Sequence, residues 1–396
     1  MTGPDGGTPD PTVEHVPLAT IVREWTRLGC IGFGGPPAHI ALLRRLCVED
    51  RKWIDATDFE DGIATTNLLP GPASTQLAIY CAWRLRGTAG AILGGICFIV
   101  PGLVLILALS AVFLSGHPPT WVLGAAAGSG AAVPAVALNA AWGFVPASRR
   151  RMGERPRARL RWMAYVLVGG ASAATVGSYL VLVLVACGVL EIVIRRRGRP
   201  PTSGGMRAFA PVAAVHAAAA GGLLGVAWVA FKVGALSYGG GFVIVPLMQH
   251  DAVTTYHWMT AAQFLNAVAL GQITPGPVVQ TVSAVGYAAA GVGGGLLAAA
   301  VAFAPSFLFV LVGGPRFDRL RANTGVQSFL TGAGPAVVGA IAGSAIPLGL
   351  SFQHLWQIPV LAGAGLWLFV LRRGVVEALL IAGVIGAGLA LLGVPA

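Results

Sequence analysis

The sequence predicts an all-α polytopic membrane protein made of two inverted-topology repeats with broken or re-entrant helices. Three observations carry that expectation. Of 396 residues, 56% are hydrophobic and only 10% are charged, at a mean hydropathy of +0.76, whereas a soluble domain carries about 25% charged residues. Sliding the chain against itself by 205 residues pairs Arg27 to Pro72 with Lys232 to Pro277 without a gap, matching Gly34-Gly35 with Gly239-Gly240, Trp53 with Trp258, Phe59 with Phe264 and Pro70-Gly71-Pro72 with Pro275-Gly276-Pro277. The register then becomes 204 and runs on through Gly87 with Gly291, Pro101 with Pro305 and Gly130 with Gly334. Finally, the equivalent loops have exchanged their basic residues. The Ala147 to Arg161 linker and the Arg84/Arg86 turn are basic, and their counterparts Ser351 to Gln357 and Gly286 to Gly291 are not; Ser115 to Thr120 and Gly177-Ser178 carry no Lys or Arg, and their counterparts Pro315 to Arg321 and Arg372-Arg373 do. Under the positive-inside rule such an exchange inverts one half against the other.

Each element follows in order. Residues 1–17 are rich in Gly, Pro and Asp, lack the basic and apolar regions of a signal peptide, and read as a disordered cytoplasmic tail. The first repeat spans 18–194. Within it, Asp58 to Arg86 is apolar but basic at both flanks, so it predicts a re-entrant hairpin broken at Asn67-Leu-Leu-Pro-Gly-Pro72, where proline and glycine end a helix. Full spans are expected near 87–114, 121–146, 161–176 and 179–194. A basic linker, 195–207, leads to the second, inverted repeat, 208–396. That repeat opens with an extra apolar crossing at Ala208 to Ala227, re-enters over Thr260 to Gly286 with a break at Gln272-Ile-Thr-Pro-Gly-Pro277, and has spans near 289–313, 326–350, 355–371 and 375–394. This topology puts all basic residues except Arg23, Arg27 and Lys232 on the cytoplasmic side, so the formal charge of +11 describes orientation and no nucleic-acid partner is expected.

The two pairs of breaks are the candidate site. Arg27-Leu-Gly-Cys-Ile-Gly-Phe-Gly-Gly35 and Lys232-Val-Gly-Ala-Leu-Ser-Tyr-Gly-Gly-Gly241 each lead from a helix into an apolar stretch, and each Pro-Gly-Pro opens another. A half-helix that starts at such a break presents unpaired N–H groups and the positive end of its dipole, which together attract anions. The expected substrate-binding residues are Arg27, Gly34, Gly35, Asn67, Gly71, Ser74 and Thr75 in one half, with Lys232, Ser237, Tyr238, Gly239, Gly240, Gln272, Thr274, Gly276 and Gln280 in the other. Lys232 stands out as an isolated basic residue among apolar neighbours whose repeat equivalent is also basic. Asp61 and Asp251 are the proton-coupling candidates, and His39 and His250 flank the broken elements. The five cysteines show no metal-ligand spacing, and no nucleotide-binding, zinc-protease or hydrolase signature is present. No cofactor, metal or catalytic residue is expected.

At these motifs the sequence resembles the chromate ion transporter family, of the long-chain two-domain type. The resemblance lies in Gly32-Phe-Gly-Gly35 with the following proline and His39, in Asn67 to Pro72, in Ser237-Tyr-Gly-Gly-Gly241 with Pro246, and in Gly271 to Pro277. It implies a multi-pass inner-membrane secondary transporter that expels chromate using the proton motive force and confers chromate resistance. The residues alone support a transporter with a central oxyanion site, and sulfate, with the same shape and charge, stays open as substrate in an uptake reading. A membrane-embedded lipid-phosphate enzyme or flippase would need a catalytic cluster that the scattered acidic residues do not make. Expected partners are chromate, with sulfate as the second candidate, the lipid bilayer and protons; a homodimer is left open.

Overall fold

A computed structural model describes residues 16–67, 69, 71–114, 118–175, 180–196, 222–237, 244–313 and 323–395. The N-terminal tail, nearly all of the 195–207 linker and most of the Ala208 to Ala227 stretch lie outside them, as do Tyr238, Gly239 and Gly240 of the candidate site. Every regular element among the described residues is helical. The first repeat contributes α1 (Leu18–Ile31), α2 (Pro36–Arg44), α3 (Ala56–Thr66), α4 (Ala73–Phe113), α5 (Thr120–Met152), α6 (Pro156–Thr175) and α7 (Leu180–Arg196). The second contributes α8 (Leu223–Leu236), α9 (Ile244–Gln249), α10 (Ala261–Ile273), α11 (Thr281–Gly313), α12 (Thr324–Leu350), α13 (Gln357–Gly365) and α14 (Val375–Leu391). Among the described residues four helical stretches are long and apolar enough to cross a membrane, and they are repeat equivalents in pairs: α4 with α11 and its leading turn, α5 with α12.

Each long span is preceded by a short limb, set off from it by a break of its own. In α4 the helix is interrupted at Arg86 and Gly87, and in α11 at Ala290 and Gly291. Both glycines take positive φ, +54° and +62°, a conformation that costs a side-chain-bearing residue about 1 kcal/mol or more. The chain reverses there. Gly90 and Gly94 return against Ala82, and Gly294 against Gly286, so the short limb after each Pro-Gly-Pro lies back along the long span that follows it. The same correspondence reaches small details: α2 and α9 both end in a π-helical turn, Arg45–Asp50 and His250–Thr255, and both turns are followed by a residue at φ near +50°, Lys52 and His257.

Some bounds differ from the sequence expectation. Leu223 to Ala227, assigned to the extra crossing, form the first turns of α8, and α5 continues through its arginines to Met152. Basic residues can end an apolar helix without leaving it, since they suit its C-terminus.

The halves interlock. α1 packs on α4 and α8 on α11 within each half, but α6 and α7 pack on α12, while α13 and α14 pack on α5. α4 crosses α11, and α5 crosses α12, so the core is shared between the repeats.

Candidate functional site

The four breaks meet at one place. Gly71 N–H donates to the Ser237 carbonyl at 2.7 Å, and Gly276 N–H donates to the Gly32 carbonyl at 2.8 Å. Adding 205 to the first-half member of each pair gives the second-half member of the other, so the contact is reciprocal about a pseudo-two-fold axis. Gly71 and Gly276 therefore each dock on the residue that ends the helix before the opposite half's glycine motif. Behind them the long spans cross. Any side chain at Gly102 would run into the Pro275 carbonyl and Gln280, and Gln280 Nε2 donates to the Ile99 carbonyl of α4 at 2.6 Å, beside Pro101. Gly102 is open to nothing larger than hydrogen because the backbone of the other repeat occupies that space.

Polar groups collect around this crossing. Ser74, Thr75, Gln76, Ser237, Gln272, Thr274, Gln280, Thr281, Ser283 and Ser306 are all buried. Among them Thr75 Oγ1, Ser237 Oγ, Gln272 Nε2, Gln280 Oε1, Ser283 Oγ and Ser306 Oγ have no hydrogen-bond partner among the described residues. Each such group costs about 1 to 3 kcal/mol when buried unpaired, so this region is the candidate site. The first turn of α4 adds the N–H groups of Ala73, Ser74 and Thr75, and the turn leading into α11 adds those of Val278 and Val279. α2 offers less, because it opens on Pro36-Pro37, which lack N–H groups; its N-cap Gly35 instead sits against Val278.

His39 is the group at this centre whose position the sequence did not reveal. It is buried on α2, with Nε2 at 2.8 Å from the Gly32 carbonyl and Nδ1 at 3.2 Å from Ser74 Oγ, and its ring stands edge-on to Phe98 at 5.1 Å. A carbonyl only accepts, so Nε2 carries the proton, and in the neutral ring Ser74 donates to Nδ1. The imidazole thus ties the carbonyl that anchors Gly276 to the first turn of α4. Ser306 and Gly102 were also missed; their signal was the matched mid-span pairs Pro101-Gly102 and Pro305-Ser306.

The cations of the two glycine motifs are each paired with a carboxylate. The Arg27 side chain is 69% exposed and lies 3.6 Å from Glu24, a buried carboxylate also held by Arg23 and Arg51. Lys232 meets Asp251 at 2.5 Å, with side-chain exposures of 16% and 5%, and its ammonium lies over the Trp228 ring. Each repeat therefore pairs its basic residue with a buried carboxylate, but from non-equivalent positions, which is why the register alone did not show it. Asp61 and Asn67 are exposed on α3 and at its end, Gly34 is exposed, and Gly71 and Gly276 are buried.

A polytopic helical protein whose halves cross through broken helices has the construction of a transporter. The chromate transporter family model matches residues 19–221 and 224–389. The chain is 35% identical over 339 residues to a chromate transport protein of Cupriavidus metallidurans, covering 84% of this chain and 82% of that protein. It is 30% identical to a probable chromate transport protein of Synechococcus elongatus, with 85% and 86% covered, and 29% identical to a chromate transport protein of Pseudomonas aeruginosa, with 92% and 96% covered. No solved structure matches. The chain belongs to the chromate transporter family and is a multi-pass membrane protein.

Proposed function

We propose that the chain is a secondary active transporter that exports chromate across the cytoplasmic membrane, driven by the proton motive force, and that the crossing of the four breaks is its substrate site. The observation that carries this reading is the set of unpaired buried polar groups around the two reciprocal Pro-Gly-Pro contacts. A tetrahedral dianion needs donors on several sides. The N-terminal turns of α4 and α11 approach from opposite repeats, and the hydroxyls of Thr75, Ser237, Ser283 and Ser306 with Gln272 Nε2 complete a shell without a fixed cation. Each helix end contributes about 0.3 to 2 kcal/mol, and charge-assisted hydrogen bonds about 1.5 to 3 kcal/mol each, so the shell acts as a whole against the dehydration cost. A site that neutralises the ion with dipoles and not with a salt bridge also releases it, as transport requires.

Chromate accumulation in cells expressing the chain, followed with and without an uncoupler, tests the reading. Lower accumulation than in empty cells, abolished by the uncoupler, is the expected result. Equal accumulation overturns export, and uncoupler-insensitive exclusion overturns proton drive. Sulfate shares the geometry, and uptake of labelled sulfate without any effect on chromate would replace the substrate.

A further inference from the structure

The pseudo-two-fold relation is broken at the arms that lead to the two Pro-Gly-Pro breaks. α10 packs on α5 and α14, whereas its equivalent α3 has no such packing on α12 or α7. Residue by residue, Leu265, Asn266, Val268, Ala269 and Gln272 are buried on α10, while their equivalents Glu60, Asp61, Ile63, Ala64 and Asn67 are exposed or half-exposed on α3. These five positions form one helical face. The contact at its centre is Asn266, whose Oδ1 occupies the space beside Gly130 of α5. Asn266 also lines a cavity of about 270 Å³ together with Leu123, Gln263, His354 and Gln357. The equivalent of Gly130 is Gly334 on α12, which is only half-buried and has Ser148 Oγ as its nearest neighbour at 3.8 Å.

We infer that Asn266 on Gly130 and Asp61 on Gly334 are the two gates of the transport cycle, closed in alternation. In the present state the outer gate is closed and the inner one open; in the other state α10 leaves α5 and α3 docks on α12. The inference rests on the transporter reading given above. Two repeats that can each adopt either arrangement have a second state of the same energy order, obtained by exchanging their conformations. The chemistry of the exposed α3 face supports the docking. It carries Asp61 and Glu60, the latter paired with Arg44 in this state. Ser148, the residue beside Gly334, leads directly into Arg149, Arg150 and Arg151 at the exposed end of α5, where Arg149 lies over the Trp162 ring; docking exchanges these contacts for charge pairs between the two helices. The outer gate closes through apolar packing and an amide, and the inner gate closes through opposite charges next to the cytoplasm.

Cysteines beside the two gates read the exchange. Ala64→Cys and its equivalent Ala269→Cys share the faces of Asp61 and Asn266 and leave both side chains in place. Each is put in a background with Cys30 and Cys97 replaced by Ser, so that the remaining cysteines are buried, and is labelled with a membrane-impermeant maleimide, in everted vesicles for the first and in whole cells for the second. At rest, Ala64→Cys reacts quickly and Ala269→Cys slowly. With chromate and an energised membrane, the rate at 64 falls and that at 269 rises, each by about threefold or more. Chromate transport with unchanged labelling at both sites overturns the exchange and leaves the substrate reading standing. Reciprocal labelling evoked by sulfate and not by chromate supports the exchange and replaces the substrate. Should Ala269→Cys fail to reach the membrane, cross-linking of Ala64→Cys to Gly334→Cys gives the second readout: a link that forms during turnover and stops it supports docking, and no link with any spacer during turnover overturns it.

Discussion

Lys232 and Asp251 show how a buried charge is kept in an apolar helix. Separating them costs more than the pair itself contributes, because a carboxylate left in the interior keeps its full desolvation penalty. Lys232→Ala is expected to destabilise the purified protein by about 3 to 5 kcal/mol, and adding Asp251→Ala should restore most of that loss. Thermal unfolding of both variants in detergent checks this; equal instability of single and double variants would mean that the ammonium is held by something other than the carboxylate. His39 works differently, since its two hydrogen bonds join elements that the substrate would touch. His39→Leu removes a donor from the Gly32 carbonyl and an acceptor from Ser74 together, and it should reduce chromate efflux at least tenfold at normal membrane abundance. His39→Gln, which can donate to the same carbonyl, should retain a measurable part of the activity.

At the scale of elements, the tight places are glycines whose neighbours are backbone. Gly102→Val would push α4 away from the Pro275 carbonyl and should abolish transport, whereas Gly143→Val, on α5 with nothing nearby, should leave it intact. The hairpin arms differ at their caps. Asp55 accepts from Thr57 N–H at the start of α3, and at the equivalent position before α10 Thr260 forms a capping box with Gln263. The Thr57 N–H holds the Asp55 carboxyl below its ordinary value of 3.8. A depressed folded-state value means that the contribution is present above the unfolded value and is lost as pH falls through the folded one. Acidification below about pH 4 should therefore loosen the α3 cap while leaving the α10 cap unchanged. Hydrogen exchange of the Thr57 and Gln263 amides at pH 3 and pH 6 distinguishes the two. Thr260→Ala should cost about 1 kcal/mol at either pH.

For the whole molecule, the repeats were legible because a Trp, a Phe and a Pro-Gly-Pro at one offset do not align by shared composition. The polar crossing was legible as a set of motifs, since helix breaks have a strong local signal in Pro and Gly. What the register could not carry is everything that differs between the halves: the carboxylates Glu24 and Asp251 stand at non-equivalent positions, and the repeat equivalent of His39 is Ile244. The interlocking was hidden for another reason, as nothing in an apolar helix such as α6 or α14 says which repeat it will cover. The interlocking has a direct consequence for assembly. Because α6 and α7 pack on α12, and α13 and α14 on α5, each half lacks the partner surface for its own last two helices. A chain divided within the basic linker, between Arg199 and Gly205, should yield two fragments that are degraded when expressed singly, since apolar helices without their packing partners lose the contacts that hold a bundle together in lipid. Expressed together, the fragments should accumulate, copurify through a tag on either one, and recover chromate efflux. A first-half fragment that is stable and folded alone would show that the exchanged helices are an ornament on two independent domains, and it would remove the structural reason for the two gates to move together.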